Sequence, residues 1–185
     1  VQTGWLIAVR AMISTLLLGG ATLAQVTAPG SFEVHPFFWL IAGTYALTIV
    51  YAGTLRLVDR HRWLVDAQLA CDALVVSAFI FLTGGITSFF ASLYALPIVA
   101  GSVIQGRRGG LKVATLSAIL YGGVVLMQYL PEGLTSGVSL VAEARVLPTR
   151  AVAQYIVVLN LFGFFAVALL SGSMAERVRT ASVRL

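Results

Sequence analysis

Six apolar stretches, each close to the length of a bilayer crossing, occupy most of this 185-residue chain. A hydrocarbon core about 30 Å thick needs about 20 residues of α-helix rising about 1.5 Å each. The windows that meet this requirement are Trp5 to Val26, Pro36 to Leu55, Trp63 to Thr83, Ser88 to Gln105, Leu111 to Leu130 and Ala151 to Ser171. With 59% hydrophobic and 10% charged residues, a soluble fold would have too little polar surface to solvate it. The expected fold is all-α, a polytopic six-transmembrane-helix bundle.

Orientation follows from the basic residues, because short cytoplasmic loops retain Lys and Arg. Arg56, Arg60 and Arg62 lie in the second connection, Arg107, Arg108 and Lys112 in the fourth, and Arg177, Arg179 and Arg184 in the tail. These nine face one side, whereas only Arg145 and Arg150 face the other, together with Glu33, Glu132 and Glu143. Both termini are therefore expected to be cytoplasmic. The cations flank apolar spans and lack a basic stripe with stacking aromatics, so anionic lipid, not nucleic acid, is the expected partner. The first span is not a signal peptide: Val1 to Gly4 carries no basic residue and the apolar run is too long. The absence of an initiating methionine suggests a piece of a longer protein. Residues 1–172 read as the membrane domain and 173–185 as the start of a cytoplasmic helix.

Several chemistries are excluded. His35 and His61 flank the second span, 26 residues and about 39 Å apart along a helix, too far to share a haem. The sequence contains no HExxH, no Walker loop, no acidic cluster with metal-ligand spacing and no run of aspartates in a DGxxAR setting. Catalytic and metal-binding residues are therefore not expected. Cys71 is a single thiol inside a span, so no intrachain disulfide forms and a core thiol is the plainest reading.

Charge within the membrane carries more information, since it costs at least about 2.5 kcal/mol at mid-depth. Asp72 lies about 14 Å into the third span, and Arg10 lies five residues into the first, from where its side chain can snorkel or reach inward. Either an Arg10–Asp72 pair, or a protonated Asp72 bonded to a neighbour such as Asn160, is expected. Such a polar pivot serves as a structural pin or as a proton or ligand site. Ala114, Ala118 and Gly122 form a small-residue stripe for helix packing on the fifth span, and Pro97 is expected to kink the fourth.

The most specific local segment runs Thr83-Gly84-Gly85-Ile86-Thr87-Ser88-Phe89-Phe90, between the third and fourth spans. Two glycines permit a tight reversal, and Ser88 can cap the following helix. Phe89 and Phe90 sit where the interface meets the core. This is a sound membrane hairpin without any ligand. It could equally form a shallow groove for a flat lipophilic molecule, with Gly84, Gly85, Ser88, Phe89 and Phe90 facing the signal.

The stretch from Asp72 through TGGITSFFASLYALPIVAGS to Tyr121 resembles the six-span sensor modules of bacterial two-component histidine kinases of the PilS and RegB/PrrB type. In RegB-like kinases the turn reads GGxxNPF and is implicated in ubiquinone binding. Gly84, Gly85 and Phe90 match, while Ser88 replaces Asn and Phe89 replaces Pro. That departure tilts the match toward the PilS-like side, where the module reads membrane-embedded partners. The resemblance implies a bacterial inner (plasma) membrane location and a homodimer. It also implies a cytoplasmic ATP-dependent kinase domain in the same parent chain, a response regulator downstream, and a lipophilic molecule or membrane protein as signal. No resident cofactor is expected, with quinone as the one candidate ligand. The tail positions Met174, Val178, Ala181 and Leu185 carry a coiled-coil rhythm suited to such a relay, although an amphipathic surface helix has the same pattern. A small polytopic transporter, or a structural membrane subunit, remains the alternative.

Overall fold

The computed structural model describes residues 62–129 and 147–183, together with helical Ala42, Gly43, Ala46 and Ile49. The chain divides into two compact units, Val1–Gln68 and Leu69–Leu185, and all packing described below lies within the second. Arg10 lies outside the described residues.

Residues 62–129 and 147–183 form four α-helices in order: α1 Arg62–Thr83, α2 Ala95–Gln105, α3 Arg107–Tyr129 and α4 Arg150–Val183. The described residues contain no strand. Three of the helices, α1, α3 and α4, are long and apolar enough to cross a membrane.

The fourth apolar window takes a different form. Residues Phe89–Tyr94 wind as a 3₁₀ helix before α2 begins. Pro97, in the first turn of α2, explains the change: its ring displaces the carbonyl four residues upstream and it offers no N–H to that carbonyl. The preceding segment closes with shorter bonds instead, and the N–H of Ala95 donates to Leu93 and Ser92 carbonyls. A 3₁₀ helix rises about 2.0 Å per residue, so the six 3₁₀ and eleven α residues together reach about 28 Å, close to a bilayer core. Pro97 thus changes the winding of the span where the sequence suggests a kink.

Helices α2, α3 and α4 pack mutually. The junction between α2 and α3 is one residue, Gly106, whose φ of 72° a side chain would strain. Arg107 and Arg108 therefore begin α3 where the sequence suggests a loop. Beyond this reversal the two helices run without clearance. A Cβ on Gly109 would collide with the Gly101 carbonyl oxygen, and one on Gly110 with Ser102 Oγ. From α4, Gly172 approaches the Arg107 backbone so closely that a Cβ there would lie 2.8 Å from its Cα. Ser171 Oγ donates to Ser102 Oγ at 2.8 Å, and Ser102 Oγ donates to the Ile98 carbonyl at 3.0 Å.

The close face of α3 is therefore Gly110, Ala114, Ser117 and Tyr121, all buried. The expected stripe of Ala114, Ala118 and Gly122 is corrected: Ala118 and Gly122 are only half-buried, and among the described residues nothing lies within 4 Å of a Cβ built on Gly122. A strict spacing of four advances about 40° per step around a helix, so it drifts off the interface that alternating fours and threes maintain.

Helix α4 runs 34 residues without a break, about 51 Å, against a bilayer core of about 30 Å. Its inner face buries Ala153, Phe164 and Ala168, while Tyr155, Val158, Phe162 and Leu170 are exposed. The exposed apolar series continues through Met174 and Val178, past the end of the sixth apolar window at Ser171.

Candidate functional site: the Gly84–Phe90 turn and the aromatic cluster beside it

Helix α1 ends at Thr83, whose hydroxyl donates to the Phe79 carbonyl at 2.6 Å and thereby stays within its own helix. With that proton committed, Ser88 Oγ is the donor in the 2.6 Å bond between the two hydroxyls. Ser88 Oγ also accepts from the Phe90 N–H at 3.2 Å, so it caps the 3₁₀ segment as its position suggests.

Between these residues the chain reverses through Gly84 at φ 124° and Gly85 at φ 59°, values an L side chain rarely adopts. A short 3₁₀ turn, Gly85–Thr87, follows. The Gly84 carbonyl accepts from Thr87 N at 3.3 Å and from Thr87 Oγ1 at 3.0 Å. Gly84, Gly85, Ile86 and Ser88 are buried, Phe90 is half-buried, and Thr87 is exposed.

One residue that sequence reasoning passed over completes the turn. Gln128, near the end of α3, accepts the Ile86 N–H on Oε1 at 2.9 Å, and its Nε2 donates to the Gly84 carbonyl at 3.3 Å. Its carboxamide fills the space over Gly85, where any Cβ would collide with it. A polar residue inside VVLMQYL was the available signal. It falls two residues from the end of the fifth apolar window, where an amide reads as an interface residue.

The 3₁₀ segment leads from the turn to Tyr94, which is fully buried. Its hydroxyl lies 2.6 Å from Ser77 Oγ on α1, and Ser77 donates to the Ala73 carbonyl at 2.7 Å, so Tyr94 is the donor to Ser77. Its ring meets Phe164 of α4 edge to face at 5.0 Å and Tyr121 of α3 at 6.3 Å, and Tyr121 in turn meets Phe164 at 5.9 Å. Such edge-to-face pairs contribute about 0.5–1.5 kcal/mol each beyond burial. Three helices thus converge on one aromatic cluster through the segment that follows the turn.

Of the intramembrane polar residues, Asn160 joins this cluster: Nδ2 donates to Tyr121 Oη at 3.2 Å and to the Ile156 carbonyl at 2.9 Å. Asp72 lies half-buried on α1. Cys71 is a free, half-buried thiol. Among the described residues no group of three or more His, Cys, Asp or Glu could hold a metal ion.

The Tyr94–Ser77 bond gives a first test. Tyr94→Phe keeps the ring contacts but leaves Ser77 its own Ala73 partner, so the expected loss is about 1 kcal/mol. Unfolding by SDS titration checks this, and a loss above about 3 kcal/mol would mean the hydroxyl does more than bridge α1 to the 3₁₀ segment.

A model described as the PilS-like transmembrane domain matches residues 5–185. The chain belongs to this family. No curated protein and no solved structure matches it significantly. Membership makes the chain a multi-pass membrane protein and a membrane sensor domain of the histidine-kinase type.

Proposed function

We propose that this PilS-like domain is the input module of a dimeric sensor histidine kinase, taking a lipophilic or membrane-protein signal at the Gly84–Phe90 turn and relaying it through α4. The signal-facing residues are Gly84, Gly85, Ser88, Phe89 and Phe90, with Arg10, Asp72 and Asn160 as the polar pivot. Both termini lie in the cytoplasm, and the kinase domain of the parent chain follows the tail and serves a response regulator.

The observation that carries this reading is the contact of Tyr94 with Phe164 at 5.0 Å. Tyr94 ends the 3₁₀ segment that follows the turn, and Phe164 belongs to α4, the 34-residue helix that would carry the relay. A displacement of the turn therefore bears directly on α4. The relay needs no covalent chemistry: a signal that binds one of two bundle packings more tightly shifts their populations by its differential affinity. Exposed Met174 and Val178 lie on α4 past the sixth apolar window, and a second copy of the helix is the natural cover for them. Quinone is a candidate ligand at the turn, not a resident cofactor.

ATP-dependent autophosphorylation of the full-length protein in lipid vesicles, with and without ubiquinone, tests the proposal. Phosphate on a histidine is expected, and Phe164→Ala should change the basal level at least threefold at equal membrane abundance. A full-length protein that transfers no phosphate would end the kinase reading. A Phe164→Ala protein with wild-type output would end the relay, and a rate unaltered by ubiquinone would remove quinone as the signal.

A further inference from the structure

Two adjacent side chains at the end of α3 reach two separate connections, the turn between α1 and the 3₁₀ segment ahead of α2 and the segment that leads into α4. Gln128 holds the Gly84–Ile86 turn through Ile86 N–H and the Gly84 carbonyl. Tyr129 donates its hydroxyl to the Pro148 carbonyl at 2.8 Å, two residues before α4 begins. The next carbonyl, of Thr149, accepts the Ala153 N–H at 2.9 Å and so starts α4. We propose that Gln128 and Tyr129 form a two-armed clasp coupling the turn to the start of α4, and that a signal at the turn acts by releasing the Gln128 arm. This rests on the turn being the signal input.

The two arms differ in strength in a way that suits release. The Gly84 carbonyl already accepts two bonds from Thr87, so the 3.3 Å bond from Gln128 Nε2 is a third claim on two lone pairs and is longer than the 2.8 Å bond of the Tyr129 arm. The Ile86 N–H is the other half: Ile86 is 3% exposed, and the Gln128 carboxamide supplies its acceptor. Withdrawing that acceptor strands a buried donor, which keeps the clasp shut at rest. An apolar ligand ending in a hydrogen-bond acceptor replaces Oε1 at Ile86 and removes this penalty. Its chemistry is thereby restricted to a carbonyl, carboxylate or hydroxyl oxygen on a lipophilic body. Gly85 is part of the device, because only a residue without Cβ leaves room for the carboxamide. Since Gln128 and Tyr129 are consecutive on one helix, movement of α3 after release is transmitted to the Pro148 anchor within a single residue. The clasp is then a two-state element that the turn and α4 both bias.

Hydrogen–deuterium exchange of the full-length protein in lipid nanodiscs, read on peptides covering 84–90, 113–121 and 147–153, tests the coupling. Gln128→Met keeps the side chain's length and removes both hydrogen bonds. It should speed exchange in 84–90 at least tenfold and in 147–153 at least threefold, with 113–121 unchanged. Tyr129→Phe should speed 147–153 alone. Wild-type exchange in 84–90 of Gln128→Met, or acceleration there that fails to reach 147–153, overturns the clasp. Autophosphorylation of the same samples separates the two readings. At least a threefold change of basal output in Gln128→Met supports both, whereas coupled exchange with unchanged output keeps the clasp and removes the turn as signal input.

Discussion

Gly109→Ala is expected to destabilise the bundle by about 3 kcal/mol, at the upper end of the usual cost of overpacking. The added methyl would collide with the Gly101 carbonyl oxygen and with Gln105 Cβ, and the Gly101 carbonyl carbon lies 3.2 Å away. The obstacle is backbone on a neighbouring helix, with no side chain to swing aside. Helices α2 and α3 must separate, and Gly106, the single residue joining them, gives little freedom to do so. Separation propagates, because Gly110 and Gly172 also leave no room for a Cβ against Ser102 and Arg107. Gly122→Ala is the matched control on the same helix. Nothing among the described residues lies within 4 Å of its Cβ, and alanine favours helix over glycine, so its stability should stay within about 1 kcal/mol of wild type or rise. SDS unfolding of the two variants side by side checks the pair. Equal stability of Gly109→Ala and wild type would mean the helices do not cross at this distance.

The same contrast shows what could be read from the chain and what could not. The presence and approximate place of α1, α3 and α4 follow from hydropathy and length, because a bilayer imposes one scale on every crossing, whereas the start of α3 at Arg107 and the run of α4 to Val183 do not. The Ser88 cap was legible since an N-cap is a local hydrogen bond between a side chain and a backbone two residues on. Pro97 was legible as a disturbance, but its outcome, a 3₁₀ segment ahead of α2, depends on which residues the bundle then packs. The helical face that α3 presents was misjudged by one register, since small residues occur at 114, 118 and 122 and also at 110, 114 and 117. Only the partner helix chooses between them. Gln128 and the Tyr94, Tyr121 and Phe164 cluster are pairings across more than thirty positions, apart from Tyr94 with Tyr121 at 27, and nothing local encodes such distances. Asn160 stood out as a polar residue in lipid, yet the partner it takes here, Tyr121, reads as an ordinary aromatic.

The largest effect at the turn should come from Gly85→Ala, about 3 kcal/mol, and most of it should depend on Gln128. Two separable terms contribute. Holding a Cβ-bearing residue at φ 59° costs about 1 kcal/mol, independent of any neighbour. The methyl also evicts the Gln128 carboxamide, which can move because it is the far end of a flexible side chain. Eviction loses the 2.9 Å bond and strands the buried Ile86 N–H, adding about 2 kcal/mol. Gln128→Ala alone should cost about 2 kcal/mol by the same stranded donor. In the double variant the eviction has nothing left to remove, so the total should be about 3 kcal/mol, not the sum of about 5 kcal/mol. The resulting coupling of about 2 kcal/mol is within the range that contacting residues show in double-mutant cycles. Strict additivity in the cycle would mean that Gln128 and Gly85 do not share this space.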